Sequence, residues 1–198
     1  MRKGLIIVGL CLLVILGFGA MQGLHVNEIN ALPHDGQIVK SKEINGYGQV
    51  VLFVDHQDQS FGIAKLEKKF GFLHRYDGSS YGRTVEEGKP FEATGLGDPN
   101  RFVVGVVTTM ESNIKYIAVG NHLKDVSSSQ SYELSLEEVK AKPDDYQLEE
   151  IDDLYALFVL DEYTEENWTI RAFDQDGNIV ADKIFGGEVR YMNEERVD

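Results

Sequence analysis

The chain has 198 residues, with 33 acidic against 19 basic ones and a formal net charge of −14 at neutral pH. Negative charge in that excess repels nucleic-acid phosphates and anionic membrane surfaces, so neither is an expected partner of the bulk of the chain. A single cysteine, Cys11, excludes an internal disulfide framework.

That cysteine lies in the first recognisable element. Leu5 to Met21 is an uncharged, apolar, glycine-containing run of 17 residues, about 26 Å long as a helix and close to a ~30 Å hydrocarbon core once extended to Leu24. Arg2 and Lys3 precede it, and the next basic residue is Lys40. The bias of basic residues toward the cytoplasm then keeps the amino terminus inside and sends the rest of the chain out. Residues 1–24 are therefore expected to form a single-pass transmembrane anchor in the cell membrane. The alternative is a signal peptide cut near Ala20 after Gly17 and Gly19, which would release a secreted protein. The run exceeds the usual apolar core of such peptides and has no A-x-A site, which favours the anchor.

The remainder holds all 33 acidic residues and lacks only Arg2 and Lys3 of the basic ones. Residues 25–47 are polar and broken by Pro33, Gly36 and Gly46, the composition of a linker. Residues 48–198 read as one extracytoplasmic β-rich domain, long enough for a real core. Val50 to Val54 is apolar on both pleat faces, turns through Asp55 to Ser60, and resumes at Phe61 to Ala64. The same grammar returns from Phe102 through Thr108–Asn113 to Ile114–Val119, and from Leu154 through Asp161–Asn167 to Trp168–Phe173. These read as hairpins, with first strands at Val50, Phe102 and Leu154, a spacing compatible with a repeat and equally with chance.

Between them, Lys65 to Phe70 fits both a helical face and a strand, and its latter half is read as strand because Phe70, Phe72, His74 and Tyr76 alternate. Gly78-Ser79-Ser80-Tyr81-Gly82 reads as a flexible turn, and Gly95-Leu96-Gly97-Asp98-Pro99 as a loop. Ser135 with Glu138 forms a capping-box pattern before Leu136 and Val139, and Pro143 ends the short helix. Asp176-Gly177 between alternating runs marks a further hairpin into Ile179–Phe185. The expected fold is mainly β: antiparallel hairpins forming a sheet, sandwich or barrel-like domain with one short helix, behind a transmembrane helix.

The stretch Gly62-Ile63-Ala64-Lys65-Leu66-Glu67-Lys68-Lys69-Phe70-Gly71-Phe72, ahead of Tyr76-Asp77-Gly78, resembles uncharacterised small membrane-anchored extracytoplasmic proteins of Gram-positive spore-forming bacteria. The resemblance covers about the middle third of the chain. It implies the same compartment and transfers no functional residue.

Candidate chemistry is sparse. Gly78 to Gly82 matches G-x-S-x-G, but Arg83 to Pro90 offers no helix to follow a nucleophile at Ser80, and Asp98 and His122 complete a triad only on paper. Asp174, Asp176 and Asn178 fail the calcium-loop pattern, because positions six and twelve are Ile179 and Phe185. Asp55, His56 and Asp58 lie in one turn and are too few and too close for a zinc site. No catalytic residue, metal ligand or cofactor is assigned. The best binding surface is the aromatic set Phe70, Phe72, His74 and Tyr76, whose competing reading is a core face. These features describe a membrane-anchored binding or interaction domain without catalytic activity, with an envelope or membrane protein as partner. The alternatives are a cell-envelope hydrolase using Glu86, Glu87, Asp98, Asp152 or Asp153, and a structural assembly factor at the membrane.

Overall fold

A computed structural model of the chain describes residues 17, 19, 21–33, 35–98, 101–121, 132–161, 168–184 and 187–192. Among the described residues there are three antiparallel sheets, and two short helices lie between strands. The first sheet is built from β1 (Leu24–His25), β2 (Gln37–Ile44), β3 (Gly48–Asp55), β4 (Ser60–Lys69) and β5 (Leu73–Arg83), in the order β1-β5-β4-β3-β2, with helix α1 (Glu28–Ala31) between β1 and β2. The second has three strands, β6 (Phe91–Asp98), β7 (Arg101–Thr108) and β10 (Tyr155–Leu160), in the order β10-β7-β6. The third joins β8 (Tyr116–Asn121), β9 (Tyr146–Glu150), β11 (Trp168–Phe173), β12 (Ile179–Ile184) and β13 (Val189–Tyr191) as β13-β12-β11-β8-β9, and helix α2 (Leu136–Lys140) precedes β9.

The three-stranded sheet lies in the middle because two of its strands, β7 and β10, are apolar on both faces. Val103 of β7 and Leu157 of β10 pack on Val50, Leu52, Phe61 and Ile63 of the first sheet. The alternate residues Val104, Val106, Ala156 and Phe158 pack on Ile117, Val119, Ile170 and Ala172 of the third. Each such fully buried aliphatic or aromatic side chain stabilises the fold by about 1.5–3 kcal/mol through transfer from water. The outer faces are closed by short helical segments: Ala31 and Leu32 cover Val51, Phe53, Ala64 and Leu66, while Leu136 and Val139 cover Ala118, Phe173 and Ile179.

A narrow middle sheet leaves two edges of unpaired backbone groups, and side chains of the outer sheets and of the edge strand itself meet them. The edge of β10 lies beside β2 and β9. Gln147 donates to the Val159 carbonyl at 2.7 Å, and Glu149 accepts the Leu157 N–H at 3.2 Å. Lys42 donates to the Leu157 carbonyl and to Glu149. At the opposite edge, buried Glu92 accepts the Ala93 N–H at 2.8 Å and pairs with Lys183 of β12 at 2.7 Å. The Ser80 and Thr94 hydroxyls bond at 2.7 Å between β5 and β6. Edge strands that would otherwise invite pairing are thus closed by polar clips.

The mainly antiparallel β architecture agrees with the sequence, as do the β3–β4 hairpin, the hairpin at Asp176-Gly177 and the helix at Leu136. Several expectations are corrected. β7 leads to β8 and β10 to β11 by crossing from the middle to the third sheet, so these units are arches and not hairpins. Their strands face each other through side chains, because both faces of β7 and β10 need a cover. Of the three strands β3, β7 and β10, β3 alone pairs with its successor, so the spacing of 52 residues between Val50, Phe102 and Leu154 marks no thrice-repeated module. Residues 25–47, read as linker, carry α1 and the eight-residue strand β2. Gly78 to Gly82 belongs to β5 and Gly95 to Asp98 to β6. The glycines of β6 make room: a Cβ on Gly95 would sit 2.3 Å from the Phe102 ring. The expected transmembrane helix at Leu5–Met21 lies almost wholly outside the described residues. Among the described residues no helix is long and apolar enough to cross a membrane.

Candidate functional site

The residues expected to share one aromatic strand face are divided by a turn. β4 ends at Lys69, the chain reverses through Phe70-Gly71-Phe72, and Leu73 of β5 pairs with Lys69. The Phe72 N–H donates to the Lys69 carbonyl at 3.3 Å. Phe70 and Gly71 both have positive φ, 53° and 79°, the left-handed region that glycine and asparagine enter readily and a bulky side chain does not. Phe70 is 82% exposed and Phe72 59%. His74, paired with His25 of β1, is instead buried, and its Nδ1 meets no hydrogen-bond partner. Tyr76 stays at the surface, its hydroxyl 2.8 Å from that of Ser79. The structure therefore brings Phe70 and Phe72 together at a projecting tip and assigns His74 to packing.

Among the described residues, Lys68, Lys69 and Arg75 beside this tip are all engaged. Lys68 pairs with Glu43 at 3.3 Å, and Lys69 and Arg75 both bond Glu67. Hydrogen bonds from Lys69 and then Arg75 hold the Glu67 carboxyl below its ordinary range. The collar of the tip is charged and paired, with three cations on two carboxylates.

At the far end of β4, a cavity of about 630 Å³ is lined by Asp55, His56, Asp58, Glu86, Glu87 and Tyr155. Two of its acids, Asp55 and Asp58, shape the turn. Asp55 accepts the Gln57 N–H at 2.8 Å, and Asp58 accepts the Ser60 N–H at 3.0 Å and the Tyr81 hydroxyl at 2.9 Å. The Ser60 hydroxyl and then its N–H hold the Asp58 carboxyl below its usual range. His56 contacts Gln37 at 3.2 Å. Of the carboxylates singled out from sequence, Glu86 and Glu87 line this cavity, Glu86 paired with Lys89, while Asp152 pairs with Lys115 and Asp153 with Lys40. Ser80 bonds Thr94 in mid-strand, while His122 and the Asp98 side chain lie outside the described residues. Asp174 accepts the N–H groups of Asp176 and Asn178, both at 2.9 Å, which is turn chemistry. Among the described residues no group of three or more His, Cys, Asp or Glu is placed to hold a metal ion.

Two features escape sequence reasoning. One is a cleft of about 280 Å³ lined by Ser80, Arg83, Thr94, Phe102, Lys183 and Glu188, assembled from all three sheets and so invisible to any local pattern. The other is a buried charge network on the third sheet. Arg171 and Asp182 are both 0% exposed. The Tyr132 hydroxyl accepts from Arg171 Nε at 2.9 Å and donates to Asp182 at 2.9 Å. Arg190 donates to both Asp182 oxygens at 2.6 and 3.0 Å, and Arg171 also reaches the Asn121 carbonyl at 2.9 Å. Burial raises the Tyr132 hydroxyl well above its ordinary pKa. Buried charges are tolerated when paired and hydrogen-bonded, and every contact here serves that end. The signal was a lone arginine inside the apolar run Trp168 to Phe173.

Comparison of the chain with protein-family models, with curated proteins and with solved structures finds no match.

Proposed function

We propose that this chain is a membrane-anchored extracytoplasmic interaction domain that works by binding and not by catalysis. The observation that carries this reading is the pair Phe70 and Phe72, held at the β4–β5 turn and offered to solvent at 82% and 59% exposure. Aromatic side chains clustered at a projecting point are suited to anchoring a contact, since each buries a large apolar area at low entropic cost. Held at a membrane by Leu5–Met21, such a tip gains a high effective concentration for anything beside it. The hydrolase alternative has less support. Glu86, Asp152 and Asp153 are committed to lysines. Lys115 holds the Asp152 carboxyl below its ordinary range, opposite to what a general acid requires.

The test is a photo-crosslinking side chain at position 72 in intact cells that make the protein. The expected result is one defined adduct, formed at position 72 and not when the same group replaces Gln57. Equal diffuse labelling at both positions, with turnover of an envelope polymer by the purified chain, would reverse the order of the two readings.

A further inference from the structure

We propose that the β4–β5 hairpin tip is a second membrane contact, with Phe70 and Phe72 entering the interfacial layer of the same bilayer that holds the leader. The proposal rests on the tethered reading above and names the partner of its binding surface.

Three observations converge on a lipid surface. First, the fold does not ask for phenylalanine at position 70. Its φ of 53° favours asparagine or glycine, and 82% exposure leaves the ring in water. A side chain disfavoured both by backbone and by solvent points to a contact outside the domain. Second, chain connectivity puts the tip beside the leader. The apolar run ends at Met21, and three residues later Leu24 pairs with Arg75 of β5, itself three residues from Phe72. Three residues span at most about 11 Å, so the end of the run and the tip lie within about 25 Å of one another. His25 pairs with His74, and Val26, which follows, is 67% exposed near the same end. Third, the collar carries little charge. Lys68, Lys69 and Arg75 are each paired with Glu43 or Glu67, so three cations against two carboxylates leave only 3 − 2 = +1 around the apolar tip of an otherwise acidic chain. This suits a zwitterionic interface, where a strongly acidic domain meets no repulsion. Because the leader already holds the chain there, even a weak insertion is populated. The ten residues of β4, at about 3.3 Å each, then carry the acidic cavity by Asp55 and Asp58 some 30 Å from the tip.

The experiment uses the full chain in phosphatidylcholine vesicles, with Cys11→Ala and one new cysteine carrying an environment-sensitive fluorophore. The cysteine is placed as Phe72→Cys or, at the other end of β4, as Gln57→Cys. Nitroxide-bearing lipids should quench the label at 72 several-fold more than that at 57, and adding Phe70→Asn should weaken quenching at 72. Equal quenching at both positions, in a chain that floats with the vesicles, overturns the tip contact and leaves the tether standing. A chain that stays off the vesicles overturns both. A protein adduct from position 72 in cells, with no lipid adduct, keeps the interaction reading and overturns the lipid assignment.

Discussion

Lys42 of β2 and Glu149 of β9 come from the two outer sheets and meet 2.5 Å apart beside the middle one, where both bond the backbone of Leu157. The contact locks three layers at one point and closes an edge that would otherwise expose unpaired N–H and C=O groups. Glu149→Ala leaves the Leu157 N–H without its acceptor and Lys42 without its partner. Loss of about 1–3 kcal/mol is expected from the stranded backbone group. Urea unfolding of the full chain in detergent measures it, and an unchanged midpoint would show that the clip is ornamental.

Gly62 is a second point of close approach. It lies in register between Phe53 and Tyr81, whose rings stack over it with centroids 5.5 Å apart. A Cβ there would come within 2.5 Å of the Ser80 carbonyl oxygen and 3.0 Å of the Phe53 ring. Backbone atoms cannot swing aside as a flexible side chain can, so Gly62→Ala is expected to cost about 1–3 kcal/mol in strain. Thermal unfolding reads the effect. A variant as stable as the parent would contradict the packing described.

The cap of α2 gives a pH signature. The Ser135 N–H and then its hydroxyl hold the Glu138 carboxyl below its ordinary value of 4.5. A carboxyl lowered in the folded state contributes stability that is complete above the unfolded value and disappears as pH falls through the folded one. Glu138→Gln keeps an acceptor without the charge. The parent should therefore unfold later than the variant near about pH 6, and the gap should close by about pH 3. A gap that widened in acid would reverse the assigned sign.

The tip makes the opposite kind of prediction. Phe70→Asn replaces a bulky side chain at φ 53° by one that adopts this conformation readily, with an expected gain of about 1 kcal/mol in stability. Parent and variant compared by denaturant unfolding in detergent decide it. A destabilised variant would mean that Phe70 supports the fold and is not spent on an external contact.

What could be read from the sequence was local. The capping box at Ser135 and Glu138, the Asp176-Gly177 turn and the β3–β4 hairpin each depend on residues within a few positions of one another. The both-face apolar pattern of Val103–Val106 and Ala156–Leu160 foretold burial, but which sheet covers which face depends on partners far along the chain. Gly95 and Gly97 looked like breakers because their purpose, clearing Phe102 and the backbone of Arg101, lies across a strand pair. The aromatic set was visible as a set. That Gly71 would turn the chain between Phe70 and His74, exposing one and burying the other, was not, since alternation alone cannot locate a reversal.

The most direct measurement concerns which side of the membrane the sheets occupy. With Cys11→Ala and Gln57→Cys, intact cells are treated with a membrane-impermeant maleimide and then fractionated in high salt. A leader that spans the membrane and keeps hold of the domain requires labelling at position 57 before lysis, on a full-length chain that stays with the membranes. Labelling only after lysis, on a chain recovered from the cytosol, would contradict it.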